Sequence, residues 1–259
     1  WTFEGQLVTD APIQPNFWRA PTDNDLGNNM QEWAKVWKEA NEEFSSTLVK
    51  APKRTKEGIK FSVRFVPDNG IVKTLVEYTL DAEGRLHLDV QLEEVRNDAP
   101  KIPRVGVYAI LPAHFQRLSW YGSGPHETYA DRNTGAKTGI WEMDVKDAFH
   151  RYSRPQETGN RTNLRWIQLT SDELTVTVES TGENFSGSAW PFGIDQLDYV
   201  PAEQGSNSAS GLVPLTSRHG ADIKIQDFVR LNMDFGQMGV GGDTSWGRPV
   251  HDEYTLDPE

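Results

Sequence analysis

The sequence predicts an all-β protein, a large antiparallel sandwich with one short helix. Three observations predict it. Apolar residues recur at every second position over many short segments, turn residues separate those segments, and only one stretch has helical spacing. From the N-terminus, Trp1 and Phe3 alternate with polar neighbours and start a strand. Trp33, Val36, Trp37 and Ala40 lie at i, i+3, i+4 and i+7, which makes one apolar helical stripe. Asn28 or Asn29 caps its start, and the stripe should dock on the sandwich through Trp33 and Trp37.

Strands follow at Ile59–Phe65, Val72–Leu80, Leu86–Leu92, Val105–Leu111 and Leu174–Val178. A last series of alternating apolar residues runs from Ile223 to Phe235, interrupted at Asp227. Asp68-Asn69-Gly70 and Asp81-Ala82-Glu83-Gly84 have the chemistry of hairpin turns. Ala202–Gly211, rich in Ser, Asn and Gly, reads as an exposed loop. No repeat or long linker divides the chain, so residues 1–259 are expected to form a single domain.

With 259 residues, 36% of them hydrophobic, the chain can bury a core without covalent staples. A net charge of −12 argues against nucleic acid and anionic membranes as partners, since both select basic patches. No apolar run approaches the length of a membrane span. The absence of cysteine excludes disulfides, thiolate metal sites and Cys nucleophiles, and leaves cytoplasm and periplasm both open. The chain begins Trp1-Thr2-Phe3 with neither Met nor an apolar leader, and is expected to be part of a longer one. Nine Trp and eleven Phe stand out. Most belong to an aromatic core, but an indole can also cover the flat C–H face of a sugar ring.

Four segments concentrate chemistry. Phe17–Gly27 is dense in Asp, Asn and Pro and reads as a structured loop; its carboxylates match no calcium-loop spacing. Tyr121–Arg132 holds Gly122-Ser123-Gly124, a poor phosphate loop because Pro125 follows. Its His126-Glu127 pair would point to opposite faces of an extended chain, which disfavours joint acid–base work. Asp131-Arg132 is expected to form structural ion pairs with other segments. Phe185–Phe192 reads as loop or strand-edge packing. In Gly239–Gly247, glycines bracket Trp246 on a loop, where the indole is as open to ligand contact as to packing.

Together with the Arg154–Arg161 turn, these segments resemble, in order and over the whole chain, the C-terminal domain of family 2 β-galactosidases, also found as a separate small chain. The resemblance implies a super-sandwich related to the galactose mutarotase fold, packed beside a catalytic (β/α)₈ barrel that carries the acid/base and nucleophile glutamates. It implies that Trp246 contacts a β-galactoside, with Asp243 and Ser245 supporting its loop, and that this chain holds no catalytic residue and no metal ligand. Magnesium and sodium would belong to the parent enzyme, with no cofactor in this fragment. Two other classes stay open. A free-standing carbohydrate-binding module fits the aromatic content, and an aldose 1-epimerase-like enzyme would need a His acid and a carboxylate base on one groove.

Overall fold

The computed structural model describes residues 1–9, 11–201, 218–243 and 246–258. The segment read as an exposed loop, Ala202–Gly211, lies outside the described residues, as does Ser245.

Along the chain, β1 (Thr2–Phe3), β2 (Gln6–Leu7) and β3 (Gln14–Asn16) lead to three short helices, α1 (Asp23–Gly27), α2 (Met30–Trp33) and α3 (Lys35–Glu42). Long strands follow: β4 (Phe44–Arg54), β5 (Ile59–Pro67), β6 (Val72–Leu80), β7 (Leu86–Val95), β8 (Arg104–Pro112), β9 (Arg117–Gly124) and β10 (Lys137–Asp144). The series closes with β11 (Arg161–Leu164), β12 (Trp166–Thr170), β13 (Thr175–Glu179), β14 (Phe185–Trp190) and β15 (Phe228–Gln237). Every pairing is antiparallel. The all-β antiparallel sandwich expected from the sequence is the observed class, with three short helices where one was expected.

The chain forms two compact units, residues 1–33 with 102–256, and residues 34–101 with the last residues. The first holds a five-stranded sheet of order β11-β14-β15-β8-β3 and a four-stranded sheet of order β10-β9-β12-β13. Val107, Leu231 and Met233 of the five-stranded sheet and Leu118, Trp120 and Ile167 of the four-stranded sheet are buried. Ala20, Trp190, Phe192, Leu197 and Ile223 form one of its core clusters. The second unit is the sheet β4-β5-β6-β7 with α3. One of its core clusters is Phe65, Val76 and Tyr78, flanked by half-buried Phe61, Val63, Leu88 and Val90. Phe61 and Tyr78, direct partners across β5 and β6, stack with centroids 4.7 Å apart.

Four details correct the sequence reading. The stripe from Trp33 to Ala40 is not one helix: Ala34, at φ −99° and ψ 4°, separates α2 from α3. Trp33 belongs to the first unit and donates to Asn28 Oδ1, while Trp37 is fully buried in the second and donates to the Pro100 carbonyl. A stripe survives a one-residue break, so spacing alone misses it. Phe185–Trp190 is an interior strand rather than an edge, paired on both sides by β11 and β15. Phe235 is exposed, because a register shift between Asp234 and Gly236 turns it off the buried face. Ile223 and Ile225 precede the strand they were expected to begin.

Candidate functional site

The charge-dense Phe17–Gly27 segment becomes a helix start. Thr22 Oγ1 accepts from the Asp25 amide, and the Asp25 carboxylate accepts from the Thr22 amide at 2.8 Å and from its hydroxyl at 2.7 Å. This reciprocal cap satisfies amides that a helix terminus leaves free. The buried Asp25 carboxylate also takes a two-point contact from Arg19, with Nη2 to Oδ1 at 3.1 Å. Arg19 spans onward and donates to the Gly239 carbonyl at 2.8 Å. Asp25 is therefore structural, and Asp23 and Asn24 are left facing outward from the first turn. Asp23 accepts from Arg154 and Gln156, and Asn24 donates to the Val240 carbonyl.

The Tyr121–Arg132 segment is tied down on both sides. Glu127 accepts from Arg132 at 2.7 Å, Thr158 Oγ1 at 2.9 Å, the Gly159 amide at 2.7 Å and the Tyr152 hydroxyl. A carboxylate held by four donors positions loops and does not move protons, while His126 beside it is exposed. Arg132 thus pairs within its own segment. Among the described residues Asp131 makes no ion pair; it accepts from the Val240 amide at 3.0 Å and the Gly241 amide at 2.7 Å. The expectation of ion pairs to other segments is corrected to an anion on backbone amides, which only the folded loop brings into reach.

These contacts fix the entry to the Trp246 loop from three sides, through Arg19, Asn24 and Asp131. Gly241 and Gly242 sit at φ +72° and +108°, where side chains are strained. Gly27 and Gly247 pack so closely that a Cβ on Gly27 would lie 2.7 Å from Gly247 Cα and 3.2 Å from the Trp246 ring. Trp246 itself is 44% exposed. Of the nine tryptophans only Trp1 and Trp246 are exposed, whereas Trp18, Trp37, Trp120 and Trp190 are in the core. Asp243 faces His251 across 3.3 Å at the surface.

The four loops meet around a cleft of about 110 Å³. Thr22, Asp23 and Asn24 come from the first segment, Tyr129 and Arg132 from the second, Tyr152, Gln156 and Glu157 from the turn that follows, and Val240 to Gly242 from the Trp246 loop. Segments that sequence reading held apart thus converge. What it missed is the buried charge beneath. Arg104 reaches Glu157 at 3.3 Å and Asp234 at 3.4 Å, all three without solvent access. Burial pushes the Glu157 carboxyl up against the pull of Arg104, Arg19 and Gln237. Burial likewise pushes Asp234 up to about 7, with Arg104 opposing and Glu157 adding to the rise. Both acids lean on Arg104, with Arg19 adding to the pull on Glu157 and Arg230 to that on Asp234, and burial outweighs that pull for each. The available signal was Arg230, Asn232 and Asp234 alternating with apolar residues in a strand buried on both faces. Among the described residues no group of three or more His, Cys, Asp or Glu side chains is placed to hold a metal ion. No helix among them is long and apolar enough to cross a membrane.

An all-β domain whose loops converge on a polar cleft, one of them carrying an exposed indole, is the class the structure defines. The chain belongs to the family described as beta galactosidase small chain, which matches it over residues 1–259. It is 34% identical over 257 residues to a beta-galactosidase of Priestia megaterium, covering 99% of this chain and 23% of that protein. A beta-galactosidase of Halalkalibacterium halodurans is 32% identical over 260 residues, covering 98% and 24%. The beta-galactosidase BgaC of Bifidobacterium adolescentis is 31% identical over 261 residues, covering 99% and 23%. The chain therefore spans about a quarter of the length of these relatives.

Proposed function

We propose that this chain is the C-terminal domain of a retaining β-galactosidase that hydrolyses terminal β-D-galactosides. It supplies the Trp246 loop to the sugar site, and the catalytic glutamates stand on a barrel elsewhere in the parent. The observation that carries this reading is the exposure of Trp246 on a loop clamped by Arg19, Asn24 and Asp131. An indole has no proton to transfer, so its contribution is apolar stacking on the sugar ring. A retaining glycosidase needs two carboxyls ~5–5.5 Å apart across the scissile bond. Asp25, Glu127 and Asp131 are each engaged in holding the fold, which favours placing that pair outside this chain. An epimerase would need a histidine on the groove, and none of the described residues lining this cleft is one.

In the full-length parent, Trp246→Ala is expected to weaken galactoside binding by roughly 1–3 kcal/mol. If the stacking is equal in ground and transition states, KM rises while kcat changes little. Steady-state kinetics on a nitrophenyl galactoside decide it, and an unchanged kcat/KM would remove the role. The 259-residue chain alone is expected to give no turnover of that substrate; activity that persists through further purification would contradict the assignment.

A further inference from the structure

The geometry points to Asp131, with Asn24 beside it, as the positioning residues that aim Trp246 at a galactoside. This role rests on the reading of Trp246 as a sugar contact, and it names what holds that indole in place. The backbone pairing gives out just before the loop. Among the described residues, the last such bond ahead of Trp246 is the Gly239 amide on the Tyr254 carbonyl at 2.9 Å. From the next residue on, side chains take over. Asp131 Oδ1 accepts from the Val240 amide at 3.0 Å and Oδ2 from the Gly241 amide at 2.7 Å, so both oxygens of one carboxylate are engaged by successive amides. Asn24 Nδ2 donates to the Val240 carbonyl at 3.4 Å. Bonds in which the acceptor is ionised are roughly twice as strong as neutral ones, which makes Asp131 the stronger of the two holds.

Asp131 is itself well placed for this. It sits in the tight turn from Tyr129 to Arg132, closed by backbone bonds in both directions at 3.1 and 2.9 Å, and Tyr129 anchors that turn in the core. Gly239 admits the carboxylate, since a Cβ there would lie 2.5 Å from Asp131 Oδ2. Gly241 and Gly242 follow at φ +72° and +108°. Two glycines in succession leave the chain free to turn either way, so its direction is set by what grips the backbone at their start. Trp246 lies on the stretch that follows and is exposed, so burial does less to place it than it does for the core indoles. Asp131 does not line the cleft, and its effect on a ligand therefore passes through the loop.

The test is a double-mutant cycle in the full-length parent, read by steady-state kinetics on a nitrophenyl galactoside. Asp131→Asn turns one acceptor into a donor that faces an amide N–H. It should lower kcat/KM about five- to tenfold, the scale of one hydrogen bond, through whichever of KM and kcat Trp246→Ala changes. On a Trp246→Ala background it should do nothing further. A residue that only holds the fold together would instead add its effect to that of Trp246→Ala. Wild-type kinetics in a folded Asp131→Asn would overturn the proposal, as would a loss of the same size on both backgrounds, and either result would leave the Trp246 reading standing. An unchanged kcat/KM in Trp246→Ala would remove that reading and this proposal with it. If Asp131→Asn does not fold, Asn24→Ala carries the same cycle from a half-buried side chain. A smaller loss, seen only when Trp246 is present, is expected of it; wild-type kinetics, or an equal loss on both backgrounds, would overturn the proposal.

Discussion

Asp234 shows how a single buried side chain sets a pH dependence. Its carboxyl, ordinarily near 3.8, is pushed up to about 7 by burial. Between those values the folded chain holds a proton that the unfolded chain releases, so stability from this group is present below the lower value and is lost as pH rises through about 7. Glu157, raised for the same reason, adds to that slope. Urea midpoints should therefore fall from about pH 5 to about pH 8, and Asp234→Asn should flatten the fall by removing one titrating group. A variant with the wild-type slope would show that Asp234 is ionised throughout. The sequence offered only the alternation of Arg230, Asn232 and Asp234 with apolar residues; the partner Arg104 is 130 positions from Asp234 and is found only by folding. Trp246 was easier to single out, because flanking glycines mark a loop whatever the rest of the chain does.

At the scale of elements, alternation located β5, β6, β7, β8 and β13 closely, since each has apolar residues on one face. It missed β9 and β14, where Gly and Ser interrupt the pattern and both faces are covered. It also missed α1, although Thr22-x-x-Asp25 carries the reciprocal-cap signature; the density of Asp and Asn had suggested only turns. Thr22→Ala should cost about 0.5–2 kcal/mol, the range for a lost N-cap, read from the denaturation midpoint. In α3, Trp37 is fully buried and its indole N–H is satisfied by the Pro100 carbonyl. Truncation to Ala leaves a cavity and should cost about 3–5 kcal/mol. An unchanged midpoint would show that the surrounding side chains close the space. The exposed Lys35 and Glu39 pair one turn apart on the same helix, and their replacement should have little effect.

For the whole molecule, the chain leaves the first unit after Trp33 and re-enters it at Ile102, so the second unit is an insertion. The sequence, lacking a linker, was read as one domain over residues 1–259, and we propose that it unfolds as one. The second unit supports this by its own weakness. Its buried apolar side chains include Trp37, Phe65, Ile71, Val72, Val76 and Tyr78, but nearly all of β4 is exposed. Domains of about 60 residues are marginal even with a full core, because they bury only about 60% of the surface their unfolded chains expose. A small sheet with one outer strand exposed has little free energy with which to offset the ordering of its backbone. It is therefore expected not to outlast the first unit on heating. Scanning calorimetry should give a single transition whose calorimetric and van't Hoff enthalpies agree. A substitution in each unit, Trp37→Ala in the second and Leu118→Ala in the first, should move that one transition to lower temperature. Two resolved transitions, with Trp37→Ala shifting only one of them, would establish the units as separate domains.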